Sequence, residues 1–108
     1  MDIGNISLDN GGGFVTRIHV LAKPVLGGEE TEFKNAQDIP LGASHTVDLG
    51  ALGVPDGYAV KLKACVVWGT DNTAHQSFVY RKDVSKTARY SITGVTLNNK
   101  LGLIEVSK

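Results

Sequence analysis

The chain has 108 residues, of which 42% are hydrophobic and 20% charged, a length and balance expected for one globular domain spanning residues 1–108. Eleven Lys and Arg offset eleven Asp and Glu, so the basic excess that neutralises phosphates in nucleic-acid binders is absent, as is the charge that would draw the protein to an acidic membrane. The single cysteine, Cys65, excludes an internal disulfide. No apolar run approaches the ~20 residues needed to cross a bilayer, and Met1-Asp2-Ile3-Gly4 lacks the basic and apolar regions of a signal peptide.

In chain order, short alternating runs are broken by Gly, Asn, Asp and Pro, which predicts an all-β, antiparallel β-sandwich of about eight strands. Ile6 and Leu8 mark a first strand, and Asp9-Asn10-Gly11-Gly12-Gly13 reads as a tight hairpin turn using glycine at positive φ. Phe14 to Leu21 is a long strand with Phe14, Thr16, Ile18 and Val20 on one face. Glu29 to Asn35 is a weak, polar edge strand, and Ile39-Pro40-Leu41-Gly42 leads into a short strand, His45 to Leu49. Val54-Pro55-Asp56-Gly57 is a turn. Tyr58 to Trp68 is the strongest strand, with Tyr58, Val60, Leu62, Ala64 and Val66 packed and Lys61 and Lys63 wet. After a polar loop, Gly69 to Thr73, come strands at Gln76–Tyr80, Thr87–Thr93 and Leu101–Val106, with Gly94 to Lys100 as a loop. No helix is predicted.

Nothing in the pattern calls for catalysis, a cofactor or a metal. His19, His45 and His75 lack the convergent spacing of a zinc site. Cys65 lies beside Val66 and Val67, surroundings that raise a thiol pKa rather than activate it. The Asp9–Gly13 segment has neither the carboxylate spacing of an EF-hand loop nor the lysine of a P-loop. Trp68, the only tryptophan, stands at a strand end leading into a loop. An indole there suits a membrane interface or a stacking face for a sugar, or else caps one end of the core.

Four motifs and the lone cysteine, followed in order, resemble the C-terminal β-sandwich domain of the cholesterol-dependent (thiol-activated) cytolysins. Asp9 to Val15 is similar to that family's D-H-S-G-A-Y-V, and Ile39-Pro40-Leu41 to its I-P-L. The strand ending in Cys65 resembles the one entering its tryptophan-rich loop, and Tyr90 to Leu97 the segment ending W-G-T-T-L. The resemblance implies loops at one end that touch a membrane, with Thr96 and Leu97 at the position of the sterol-recognising pair and Gly11 to Gly13 as a second membrane loop. It also implies secretion. The tryptophan-rich loop departs: Cys65 is kept, two tryptophans are missing, and Trp68 is displaced. The family's pore-forming segments lie outside this domain, so pore formation is not expected.

These readings converge on a non-catalytic module that binds a membrane surface, a sterol or a glycan. The loops Gly11–Gly13, Thr31–Asn35, Trp68–Thr73 and Val95–Asn99 would share one end. The ligand-binding residues would be Thr96, Leu97, Trp68, Asp71, Asn72, Asn98, Gly12 and Gly13, and the polar loop residues Asp71, Asn72, Thr73, Asn98 and Asn99, suited to sugar hydroxyls, favour a sugar over bare lipid. The rival reading is a structural domain that pairs with another chain, or with a copy of itself, through an edge strand such as Glu29–Asn35.

Overall fold

The computed structural model describes residues 1–107. The elements are β1 (Asp2–Ile3), β2 (Asn5–Gly12), β3 (Thr16–Pro24), β4 (Thr31–Lys34), β5 (Ser44–Asp48), α1 (Leu49–Leu52), β6 (Tyr58–Val66), β7 (Asn72–Thr73), β8 (Phe78–Tyr80), β9 (Thr87–Val95) and β10 (Asn98–Ser107). Two sheets pack face to face. One has the order β1-β8-β6-β3-β4, with β7 also on β6; the other has the order β10-β9-β2-β5.

Alternation places the core where the sequence pattern puts it. Phe14, Thr16, Ile18 and Val20 are buried, as are Val60, Leu62, Ala64 and Val66 on the antiparallel neighbour β6. Ile6 and Leu8 on β2 and Ala88, Tyr90 and Ile92 on β9 close the core from the other sheet. Lys61, Lys63 and Cys65 occupy the outer face of β6. There His19 Nδ1 meets Glu32 Oε2 at 2.7 Å and Lys63 Nζ reaches Glu32 Oε1 at 3.3 Å, and the bond to His19 holds the Glu32 carboxyl below its ordinary range.

The architecture is mostly antiparallel, with two exceptions: β1 runs parallel to β8, and β2 runs parallel to β9 over eight residue pairs. The short strands β1 and β7, each two residues long, bring the strands to ten among the described residues. The Asp9–Gly13 segment is not a hairpin. β2 continues to Gly12, which pairs with Gly94, and none of Gly11, Gly12 and Gly13 has positive φ. Gly12 is required for space instead, because a β-carbon there would run into the Phe14 ring. The loop expected at Gly94–Lys100 is shorter than its sequence implies. Val95 pairs with Asn98, leaving Thr96 and Leu97 as a two-residue tip. A four-residue helix, α1, was not expected. Asp48 Oδ1 caps it by accepting from Gly50 N at 2.9 Å and Ala51 N at 3.3 Å, and Gly53 ends it in the left-handed conformation, φ +109°.

One core group is unpaired. The Tyr90 hydroxyl is fully buried without a hydrogen-bond partner among the described residues, and burial pushes its pKa up to about 12. A buried hydroxyl left unbonded costs about 1 kcal/mol or more. Tyr90→Phe is therefore expected to raise the melting temperature by about 4 °C, since a chain of this length shifts by roughly that amount per kcal/mol. Calorimetry checks it; a fall in melting temperature would mean that the hydroxyl has a partner in solution.

Candidate functional site

One end of the sandwich is built from four chain segments tied to one another. The Gly12–Val15 connection joins the Trp68 turn through Val67 N–H to Val15 O, 3.0 Å, and joins the β9–β10 hairpin through Gly13 N–H to Gly94 O, 3.0 Å. The loop after Trp68 joins the same hairpin, with Thr70 N–H donating to Thr96 O at 2.8 Å and Asn99 Nδ2 donating to Thr70 O at 2.8 Å. Gly69 permits this approach, since a β-carbon there would strike the Thr96 carbonyl. The fourth segment is Ile39–Gly42, held by Ile39 against Thr16 and by Gly42 N–H to Asn10 O, 2.8 Å.

Buried Asn10 organises this end. Its Nδ2 donates to Phe14 O at 2.6 Å and to Ile39 O at 2.8 Å, and its Oδ1 accepts from Gly12 N at 2.8 Å. A buried amide satisfied this fully fixes the paths of three segments at once.

On this scaffold sits a cluster of exposed apolar side chains. Trp68 is 97% exposed, Leu97 75%, Leu41 64% and Val95 59%. They are four of eight large hydrophobic side chains left exposed among the described residues. Single exposed apolar groups are ordinary, whereas several on one end of a domain are less so. Trp68 is held there under strain. It is the third residue of a turn closed by Gly69 N–H to Val66 O, 3.1 Å, and its φ is +57°, the only positive value for a non-glycine residue among those described. Gly or Asn ordinarily takes that position. A bulky aromatic kept there, with its ring in solvent, is the kind of outlier that accompanies function.

A shallow groove of about 300 Å³ lies beside Trp68. Phe14, Val15, Val67 and Thr96 line it with Trp68. Arg17 and Asp38 complete it as an ion pair, Arg17 Nε donating to Asp38 Oδ1 at 2.5 Å.

The structure gathers Trp68, Thr96, Leu97, Asn98, Gly12 and Gly13 at this end, through the Gly13–Gly94 and Thr70–Thr96 bonds and the β9–β10 hairpin. Asp71 and Asn72 are there too, each with part of its side chain engaged within the loop end. Asp71 Oδ1 accepts from Val66 N at 2.9 Å, and Asn72 Nδ2 donates to Asn99 Oδ1 at 2.9 Å. These bonds close the loop, while Asp71 stays exposed with its Oδ2 making no hydrogen bond among the described residues. Thr31–Asn35 does not belong to this end. It includes the edge strand β4, where Thr31 pairs with Ala22, far along β3 from Thr16. Ile39–Gly42 takes its place. Leu41 was missed because Ile39-Pro40-Leu41-Gly42 reads as a strand entry; the overlooked signal was a large apolar residue between the turn formers Pro40 and Gly42.

Other candidate chemistry stays dispersed. No three His, Cys, Asp or Glu side chains come together as a metal site among the described residues. The Cys65 thiol is pushed up in pKa, first by burial and then by nearby Asp71, the direction expected of an unactivated cysteine. Among the described residues no helix is long and apolar enough to cross a membrane.

No family model matches the sequence, and no curated protein matches it. Solved structures do match. The membrane-binding domain of pneumolysin is 18% identical, with 97% of this chain and 98% of that one covered and a TM-score of 0.48. A non-hemolytic pneumolysin from Streptococcus pneumoniae strain ST306 is 19% identical, with 97% and 24% covered and a TM-score of 0.49. The cytotoxin suilysin from Streptococcus suis is 16% identical, with 97% and 24% covered and a TM-score of 0.48. The chain spans about a quarter of the length of the two whole toxins. These matches fall on the cytolysins, the family that the sequence motifs resemble.

Proposed function

We propose that the chain is a binding module that docks on a membrane surface through the apolar end formed by Trp68, Leu97, Val95 and Leu41. The observation that carries this reading is Trp68, fully in solvent on a strained turn, on an end of the sandwich whose other segments also carry exposed Leu97, Val95 and Leu41. An indole fits the interface between water and acyl chains, where its ring is buried and its N–H stays wet. Burying half of such a ring contributes about 2 kcal/mol at ~25 cal/mol/Å². The balanced net charge means that this attachment leans on apolar contact rather than on attraction to acidic lipid.

Sterol or glycan recognition would be a further property of the same end. Thr96 and Leu97 form the hairpin tip and present Leu97 outward, which suits a sterol. Of the polar residues offered for a sugar, Thr73 and Asn98 are exposed and make no side-chain bond among the described residues, against four large exposed apolar side chains, so the balance of exposed groups favours lipid.

Flotation with vesicles of phosphatidylcholine, with and without cholesterol, beside a glycan array, tests the proposal. Binding to vesicles that falls about tenfold for Leu97→Ala is the expected result, from the ~1.5 kcal/mol or more that a buried leucine contributes. Silence towards vesicles of both compositions would end the membrane reading. The edge-pairing rival has a sheet edge at β4, of four residues; light scattering of a stable oligomer would favour it.

A further inference from the structure

We infer that the groove beside Trp68 takes the phosphocholine headgroup of a zwitterionic phospholipid. The inference rests on the membrane reading for its setting and names the lipid class. The groove offers each part of that headgroup a matching partner. Trp68 leaves its ring face free, and a quaternary ammonium, a cation with an apolar methyl surface, is the cation such a face holds best. Asp38 Oδ1 is occupied by Arg17 Nε, but Oδ2 makes no hydrogen bond among the described residues and can face the ammonium. Arg17 gives only Nε to Asp38, so both Nη groups remain free to donate to a phosphate oxygen. Phe14, Val15 and Val67 supply an apolar lining against the choline methyls.

The pairing of charges selects among lipids. Arg17 and Asp38 touch, so the groove presents a positive and a negative group side by side and little net field. A purely anionic headgroup would gain Arg17 but confront Asp38. A primary ammonium is compact and strongly hydrated, and it gains less from an aromatic face than a trimethylated one. The zwitterionic, trimethylated headgroup satisfies both charges and the ring.

The test uses the whole chain. Vesicles with identical acyl chains and phosphocholine, phosphoethanolamine or phosphoglycerol headgroups are compared, and soluble phosphocholine and inorganic phosphate are titrated separately by NMR. Phosphocholine vesicles are expected to bind about two- to fivefold tighter than the other two, the size of one exposed cation–π contact. Soluble phosphocholine is expected to shift the Trp68 indole N–H and the Arg17 Nε–H, while inorganic phosphate leaves Trp68 unmoved. Asp38→Asn, on an exposed side chain, should lower phosphocholine binding and raise phosphoglycerol binding, an inversion that a purely structural role would not produce. Equal binding of the three vesicles, an unchanged preference in Asp38→Asn, or no shift with phosphocholine would overturn the site. Phosphocholine shifts without vesicle binding would instead uphold the site and remove the membrane reading.

Discussion

Replacing Trp68 by glycine is expected to raise the melting temperature and weaken vesicle binding in the same variant. The two effects have separate causes. Trp68 sits at φ +57°, a conformation that costs a non-glycine residue about 1 kcal/mol and glycine almost nothing. Relief of that strain should move the melting temperature up by roughly 4 °C. The ring is 97% exposed, so its removal takes away almost no packing. Loss of the ring should cost about 2 kcal/mol of interfacial burial, or about 30-fold in vesicle affinity. Trp68→Ala separates the causes, because alanine keeps the strained backbone and loses the ring. It should bind as weakly as Trp68→Gly without the gain in stability. Circular dichroism melts and flotation of the two variants give both numbers. A Trp68→Gly variant that melts lower would show that the indole packs on the domain and is not offered to a partner.

The second large effect is expected at Asn10, which touches no ligand in this account. Asn10→Ala leaves Phe14 O without a donor and Gly12 N–H without an acceptor, and takes from Ile39 O one of its two donors, the other being Thr16 N–H, all at a buried position. At about 1 kcal/mol for each lost partner the cost is about 3 kcal/mol, or a fall of about 10–15 °C in melting temperature. The damage should concentrate at the apolar end. Gly12 leads to the Phe14 ring, Ile39 bridges to Thr16, and the next residues carry Leu41. Amide signals from Gly12 to Val15 and from Asp38 to Ala43 should broaden or shift most, and vesicle affinity should fall although no membrane-facing side chain is altered. A fall in melting temperature under about 3 °C would mean that water replaces the amide, and the organising role would be withdrawn.

The core was legible in the sequence because alternation records which side chains share a face. Tyr58 to Val66 and Thr87 to Thr93 alternate as the structure does. Alternation carries no direction, so it could not show that β2 lies parallel to β9, about eighty residues away in the chain. Glycine misled at Gly12, where the sequence pattern points to backbone freedom and the structure uses the missing side chain to admit Phe14. Asn10 misled in the same stretch: Asn beside Gly reads as a turn, while its amide works as an internal clasp. Asp71 and Asn72 were offered to a sugar, yet short polar side chains in loops also bond within the fold, as Asp71 does to Val66 N–H and Asn72 does to the Asn99 side chain. Trp68 was legible as a loop residue. Its left-handed backbone was not, because no local signal marks a tryptophan at the place where Gly or Asn is expected.

The most direct measurement follows the emission of Trp68, the only tryptophan in the chain, while phosphatidylcholine vesicles are added. A shift to shorter wavelength is expected as the indole leaves water, with quenching when the acyl chains carry bromine near the interface. Emission that stays at the wavelength of a fully solvated indole, with vesicles in excess and no quenching by brominated lipid, would contradict it.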